Sequence, residues 1–347
     1  MSFQICSDLH LNYWWGPTGL NNIQEVTEWI RQVLHPDINS PNNSSKRFII
    51  LAGDVAPIEW EPLYLFLEGL IRCGYTRIIW VPGNHEFLSP KTSRKTISQL
   101  EEMAINRVNR LNQQYLNVGV IHWVNRSILQ YQDLRIIGCT LWSIPNLTEP
   151  KVLNHHMFIA GEDPAGRFIL PPVLSTNSTP LTNVTSSTLP APSIVPINSS
   201  NQSSSTNPIN PVKYDSAIYT NDNLPLTPQS YTQLAIQDRE WLFSTIHQSN
   251  KTSDCIIVVT HYPPSKWMEN PSNFNDGKIS MYTNDLPLSF FPKEISMWIS
   301  GHSHFTTRKF ADVDKHRILF LSNPIGYPRE HKDKSREYHP EWILDMS

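Results

Sequence analysis

Seven short apolar runs of strand length recur along this chain, at 3–6, 48–52, 78–81, 135–139, 255–260, 297–300 and 318–321. They are continuous rather than alternating. A strand with one wet face alternates apolar and polar residues, whereas one covered on both faces does not. The runs therefore predict strands packed between layers. Amphipathic helical patterns lie between them. In 21–34 the stripe is Ile23, Val26, Ile30, Val33 and Leu34. Segment 62–73 opens with Pro62 at the first helical position and is followed by Gly74. Segments 92–114 (Ile97, Leu100, Ala104, Leu111) and 229–247 (Leu234, Leu242, Ile246) repeat the helical spacing. Strands alternating with helices predict an α/β layered fold.

One segment breaks the pattern. In 171–211, 31 of the 41 residues are Pro, Ser, Thr, Asn or Gln, with no charge and no aromatic ring. Such a stretch cannot bury enough apolar surface to offset its ordering entropy, and it reads as a disordered low-complexity insertion. The polar tract 39–45 reads as a surface loop. The chemistry on either side of the insertion belongs together, so 1–347 is read as one domain with 171–211 inside it.

Composition narrows the function. The net charge of −3 provides no broad basic face, so nucleic acid is not an expected partner. No apolar stretch reaches about 18 residues, so no membrane span is expected. The first residues lack the basic start and long apolar run of a secretory signal, which gives a cytoplasmic expectation. Cys6, Cys73, Cys139 and Cys255 form no close pair and read as reduced, buried thiols rather than a disulfide frame or zinc knot. The Asn-x-Ser/Thr triplets at Asn177 and Asn183 then reflect composition rather than glycosylation.

Polar residues of metal-ligand type gather where the apolar runs end. Asp8-Leu9-His10 follows the first run and Gly53-Asp54 the second. Gly83-Asn84-His85-Glu86 follows the third, His261 the fifth, and Gly301-His302-Ser303-His304 the sixth. In α/β sheets ligands bind outside the carboxyl ends of strands, so these five ends converge on one pocket. Carboxylate and imidazole without thiolate suit Mn, Fe, Zn or similar ions. An Asp has two oxygens and can bridge two ions, which together clamp an in-line displacement at phosphorus. Each piece alone is weak: Gly-Asp often marks only a turn, and a lone His after a strand is usually structural. The ordered set is what carries the reading.

That set resembles the calcineurin-like metallophosphoesterases, in a branch found in bacteria, fungi and protists. Softer matches are Gly138-Cys139-Thr140-Leu141-Trp142 and Asn323-Pro324-Ile325-Gly326-Tyr327-Pro328. The resemblance spans residues 8 to 304 apart from the insertion. It implies a four-layer α/β/β/α sandwich with a dinuclear centre of divalent or trivalent ions. One ion would be held by Asp8, His10, Asp54 and His304. The other would be held by Asp54, Asn84, His261 and His302. The implied reaction is hydrolysis of a small-molecule phosphoester by a metal-bridging hydroxide. Asn84 would also contact the phosphate, and His85 would act as general acid to the leaving group.

The chain departs from the protein Ser/Thr phosphatases of that superfamily. They carry Gly-Asp-x-x-Asp-Arg-Gly, whereas this chain reads Gly53-Asp54-Val55-Ala56-Pro57-Ile58-Glu59. They have Arg before Gly-Asn-His, whereas Pro82 stands here. The missing Arg would grip phosphate and the missing Asp would orient His85, for which Glu59 is a stand-in candidate. Less fixed positive charge favours a diester or a broad phosphoester specificity over a phosphomonoester. The competing readings are a phosphomonoesterase, a non-catalytic scaffold on the same fold, which usually loses ligands, and a repair nuclease, which the acidic charge disfavours.

Other residues carry weaker signals. Trp142, Tyr262, Trp267 and Tyr327 read as packing, with an aromatic substrate wall as the sharper alternative and Tyr262 as its leading candidate. The His155–His156 pair reads as solvated. The mixed-sign run 329–334 reads as solvated surface, and Trp342, Ile343 and Leu344 as a docked tail.

Overall fold

The computed structural model describes residues 2–34, 47–149, 152, 216–249, 255–275, 277–313, 316–330, 338–340 and 342–345. The insertion 171–211, the tract 39–45, His155–His156 and residues 331–334 lie outside them.

The strands in chain order are β1 (Ser2–Cys6), β2 (Arg47–Ala52), β3 (Tyr75–Val81), β4 (Ser89–Pro90), β5 (Val120–Trp123), β6 (Ser127–Tyr131), β7 (Leu134–Cys139), β8 (Ser216–Ala217), β9 (Cys255–Thr260), β10 (Ile295–Ile299), β11 (Thr307–Val313), β12 (His316–Ser322) and β13 (Ile343–Asp345). They form two main sheets, ordered β13-β1-β2-β3-β5 and β11-β12-β10-β9-β7-β6, and a small ribbon of β4 and β8. The runs β1-β2-β3-β5 and β12-β10-β9-β7 are parallel, while β13, β11 and β6 add antiparallel edges.

Side-chain alternation along these strands builds the layers. Ile5, Ile50, Ile79 and Val81 of the first sheet meet Ile136, Ile257, Val259, Ile299 and Leu321 of the second in a dry interior. On the far side of the first sheet, Ile49, Leu51, Ile78 and Trp80 pack against three helices: α2 (Ile23–Val33), α3 (Pro62–Arg72) and α4 (Ile97–Gln114). The short α1 (Leu11–Trp14) precedes them. On the far side of the second sheet, Ile137, Val258, Trp298 and Phe320 pack with Leu242 and Ile246 of α5 (Pro228–Ser249). The order is helix, sheet, sheet, helix, as expected. Each fully buried Ile, Leu or Val contributes about 1.5–3 kcal/mol relative to exposure, so both faces of each central strand stabilise the fold.

Helix ends follow local chemistry. Pro62 opens α3, and Gly74 at φ 92° follows its last turn. Helix α4 starts later than its periodicity predicts. Thr96 is extended and forms a capping box, its Oγ1 accepting from Gln99 N at 3.3 Å while Gln99 Oε1 accepts from Thr96 N at 3.0 Å. Buried Asp238 of α5 takes a 2.5 Å bond from Arg126 Nε and a 3.4 Å bond from Trp142 N, tying the helix to the loop after β7. Among the described residues no helix is long and apolar enough to cross a membrane. The four cysteines are free; Cys6, Cys73 and Cys139 are buried and Cys255 is half-buried.

Candidate metal centre

Parallel pairing brings the carboxyl ends of β1, β2 and β3 to one edge, and those of β9 and β10 to the facing edge. The loops leaving them are laced together. Asp8 N donates to Gly53 O at 2.9 Å, Gly301 N to His261 O at 2.8 Å, and Ile325 N to Ser7 O at 2.9 Å. His261 Nδ1 lies 3.0 Å from Ala52 O, which joins the two sheets.

All eight residues singled out in the sequence meet there. His10 Nε2 is 3.0 Å from His304 Nε2, and His304 Nε2 is 3.4 Å from Asp8 Oδ1. On the other side, His261 Nε2 is 3.1 Å from Asn84 Oδ1, 3.2 Å from His302 Nδ1 and 3.3 Å from Asp54 Oδ1. Asp54 stands between the two groups, its Oδ2 lying 3.9 Å from His10 Nε2 and 3.9 Å from His85 Nε2. Its Oδ1 also accepts from His85 N at 2.8 Å.

The backbone is bent to achieve this. Asp8 (φ 53°), His10 (46°), Asp54 (54°), His302 (67°) and His304 (50°) are all left-handed without being glycine. Such conformations cost of order 1–3 kcal/mol each and concentrate at functional sites. The glycines serve close approach. Gly53 sits at φ 84°, and a Cβ on Gly83 would lie 2.2 Å from Asp54 Oδ1.

Glu86, the last residue of Gly-Asn-His-Glu, holds this backbone in place. Its fully buried carboxylate accepts from Gly83 N (2.8 Å), Asp54 N (2.9 Å), Val55 N (2.8 Å) and Trp80 Nε1 (3.2 Å). Burial, reinforced by the Asp54 charge, pushes Glu86 up to about 7 despite those donors.

The electrostatics divide the imidazole cluster, burial lowering three rings and carboxylates raising two. Burial, then His85, hold His10 well below its ordinary value, and burial depresses His85 and His302. For His261 burial opposes protonation, but Asp54 overrides it and raises the group to about 9. Burial is likewise overridden at His304, where Asp8 and Glu330 raise the group to about 10. The depressed imidazoles of His10 and His302 keep lone pairs free to bind cations.

The donors fit divalent ions. Two ligands bound at about 2.0–2.2 Å to one ion, near a right angle, lie about 3 Å apart. The imidazole and oxygen separations here, 3.0–3.4 Å, have that size. Asp8, His10 and His304 form one group with ligand atoms within 4.8 Å of each other, Asp54, His261 and His302 form another, and His10, Asp54 and His85 form a third between them.

Several residues behave differently from their sequence reading. Glu59 does not replace the missing partner of His85, because its carboxylate is taken by Ser89 Oγ (2.5 Å), Ser93 Oγ (2.8 Å) and Lys95 Nζ (2.6 Å). Tyr262 is fully buried beneath His302, ring centroids 3.9 Å apart, so it supports a ligand candidate rather than facing substrate. Trp142 is buried, and Trp267 packs edge-on to Phe320 at 4.6 Å, so both serve packing. Glu330 is not a solvated member of the run 329–334. It accepts from Tyr327 N at 3.0 Å and pairs with His304 Nδ1 at 2.6 Å. No spacing rule exposes that role, since it depends on a turn of the loop after β12. The Thr140 carbonyl of the softer motif accepts from His261 N at 3.2 Å and Tyr262 N at 3.1 Å, supporting the His261 loop from behind.

The fold and site define a metal-dependent hydrolase of phosphoesters. Residues 1–163 match the family model described as calcineurin-like phosphoesterase, so that part of the chain carries such a domain. His261, His302 and His304 lie beyond the matched range. A curated relative, uncharacterized protein L509 of Acanthamoeba polyphaga mimivirus, is 20% identical over 350 residues, covering 98% of this chain and 95% of its own. The solved phosphopantetheinyl hydrolase of Mycobacterium tuberculosis shares the fold, with a TM-score of 0.50 and 15% identity over 96% of this chain and 92% of its own. A dimetal phosphatase from Danio rerio aligns with a TM-score of 0.40 and 13% identity over 92% of this chain and 87% of its own.

Proposed function

We propose that this chain, as one domain over 1–347, hydrolyses small-molecule phosphoesters at a dinuclear metal centre, with phosphodiesters or a broad range of esters preferred. One ion is assigned to Asp8, His10, Asp54 and His304. The other is assigned to Asp54, Asn84, His261 and His302. The observation that carries the reading is Asp54, whose Oδ1 faces His261 at 3.3 Å while its Oδ2 faces His10 at 3.9 Å. The ions, when bound, supply Lewis acidity that makes water acidic near neutral pH and offsets charge on the phosphoryl group.

The chain's own residues do the rest. Asn84 has an amide N–H available to a phosphoryl oxygen once its Oδ1 serves as ligand. His85 is the general acid. Water provides the hydroxyl that forms the new P–O bond and releases its other proton to solvent. The old P–O bond breaks as His85 Nε2 gives its proton to the leaving oxygen. The products are an alcohol and a phosphate with one ester fewer. Such acid catalysis contributes typically ~10²–10⁴-fold.

The diester preference rests on charge. Pro57 and Ile58 stand where the phosphoprotein phosphatases carry an Asp-Arg pair. Lys95 is paired with Glu59. A diester carries one negative charge and a monoester nearly two, so the diester asks less of the protein. Nothing in the charge or the site calls for nucleic acid.

The test is hydrolysis of an aryl phosphodiester beside the matching monoester, with Mn²⁺ and with chelator, by wild type and Asp54→Asn. A phosphopantetheinyl ester joins the panel because the fold neighbour is a phosphopantetheinyl hydrolase. Metal-dependent turnover lost in the variant is expected, with the diester cleaved at least as well as the monoester. No turnover of any ester by protein carrying two metals would overturn the reading.

A further inference from the structure

The motif that marks this chain off from the phosphoprotein phosphatases leaves His85 without its usual acidic partner. His85 Nδ1 is buried and has no hydrogen-bond partner among the described residues. The neighbour it does have, Tyr327, reads from the sequence as packing or an aromatic substrate wall. Tyr327 Oη lies 3.3 Å from His85 Nε2, the nitrogen that faces Asp54 and carries the catalytic proton in the proposed reaction.

Tyr327 is held firmly. Its ring stacks on His10 at 4.1 Å with an interplanar angle of 15°. Tyr13 meets it edge-on at 4.9 Å, and the Arg329 guanidinium lies over it at 5.2 Å. Its backbone N–H donates to Glu330, which also pairs with His304. The preceding turn is tied down by Gly326 N donating to Asp8 O at 2.7 Å and Trp14 Nε1 donating to Gly326 O at 3.1 Å. Ring stacking fixes the Tyr327 plane, and the turn fixes its height. The hydroxyl is thereby presented to His85 from a rigid base.

We infer that Tyr327 is the positioning residue for His85, orienting the ring through a hydroxyl at Nε2 where the phosphoprotein phosphatases use an acidic side chain elsewhere on the ring. This deepens the reading above and rests on it. With the proton on Nε2, that N–H donates to Tyr327 Oη. The imidazole is then held with its proton at the leaving-group position until the ester oxygen takes it. A mispositioned acid matters most when the leaving group needs protonation. Nitrophenolate leaves well unprotonated, whereas an alkoxide does not.

The experiment compares wild type, Tyr327→Phe, His85→Asn and the double variant on a nitrophenyl and an alkyl phosphodiester. Metal content is measured on each protein. Tyr327→Phe keeps the ring and its stacking. We expect its loss of kcat to be roughly tenfold greater for the alkyl than for the nitrophenyl ester, with metal content as in wild type. In the His85→Asn background the same change adds no further loss, because its effect passes through His85. Equal loss on both esters, full additivity with His85→Asn, or activity lost together with metal would overturn the inference while leaving the phosphoesterase reading intact. A wild-type protein inactive on both esters would overturn both.

Discussion

The two sheets contribute to the site unequally. The first supplies every oxygen donor, from Asp8, Asp54 and Asn84, together with His10 and His85. The second supplies the imidazoles of His261, His302 and His304. They also differ in what holds them. The first sheet's loops are braced from within by Glu86, which gathers backbone N–H groups from two of them. The second sheet's loops lean on the first through His261 Nδ1 at Ala52 O and the backbone N–H of His302 at the Asp8 carboxylate (2.9 Å), while His304 pairs with Glu330 of the loop after β12. The first half is thus a template and the second half is registered on it. Damage to the template should spread to both ions, and damage to the second half should stay local.

The largest effect expected is at Asp54, which touches both groups. Asp54→Asn should lower kcat on the order of 10³-fold or more, because the charge shared by two cations is lost. Steady-state turnover at saturating Mn²⁺ measures this. A residual rate within tenfold of wild type would show that the halves work independently. Next is Glu86→Gln, which turns a donor toward backbone N–H groups that need an acceptor. It should cost about 3 kcal/mol of stability. Thermal unfolding should show it, and both metal-binding steps should weaken although Glu86 is itself no ligand candidate. Below it comes His85→Asn, with a loss of roughly 10²-fold in kcat and unchanged metal content, since the proposed reaction uses His85 as acid and not as ligand.

How much of this was legible in the sequence depends on burial. The seven apolar runs are the seven interior strands, and the four edge strands of the two main sheets (β5, β6, β11, β13) escaped the reading. The physical reason is the second face. An interior strand covered on both sides reads as a continuous run, while β6, exposed at alternate residues, and β11, largely exposed, do not. The same logic applies to the site. The eight residues at strand ends were visible because the motifs are short and follow buried runs. Glu330 and the Tyr327 hydroxyl act across a loop whose path no local spacing encodes. Glu330 even sat in a mixed-charge run that resembles ordinary surface. Glu86 was within a motif, but its role as an acceptor for Asp54, Val55 and Gly83 needs the three-dimensional return of two loops.

Glu330 offers the gentlest and most discriminating test of the comparison. It touches one imidazole of the second half, at Nδ1, leaving Nε2 of His304 toward Asp8 and His10. A carboxylate behind a ligand imidazole fixes the tautomer and raises the basicity of the ligating nitrogen, and losing such a partner typically costs ~10–100-fold in metal affinity. Glu330→Gln keeps an oxygen that can accept from Nδ1–H and loses the charge, so it should fall near the lower end. Glu330→Ala should fall near the upper end and also release the backbone N–H of Tyr327. Competition with a chelator, followed as two Mn²⁺-binding steps, reads the result directly. One step should weaken while the other holds, because the imidazole that Glu330 pairs with, His304, is assigned to one ion. Equal weakening of both steps would show that the second sheet's loops brace one another as strongly as Glu86 braces the first, and the template picture would then fail.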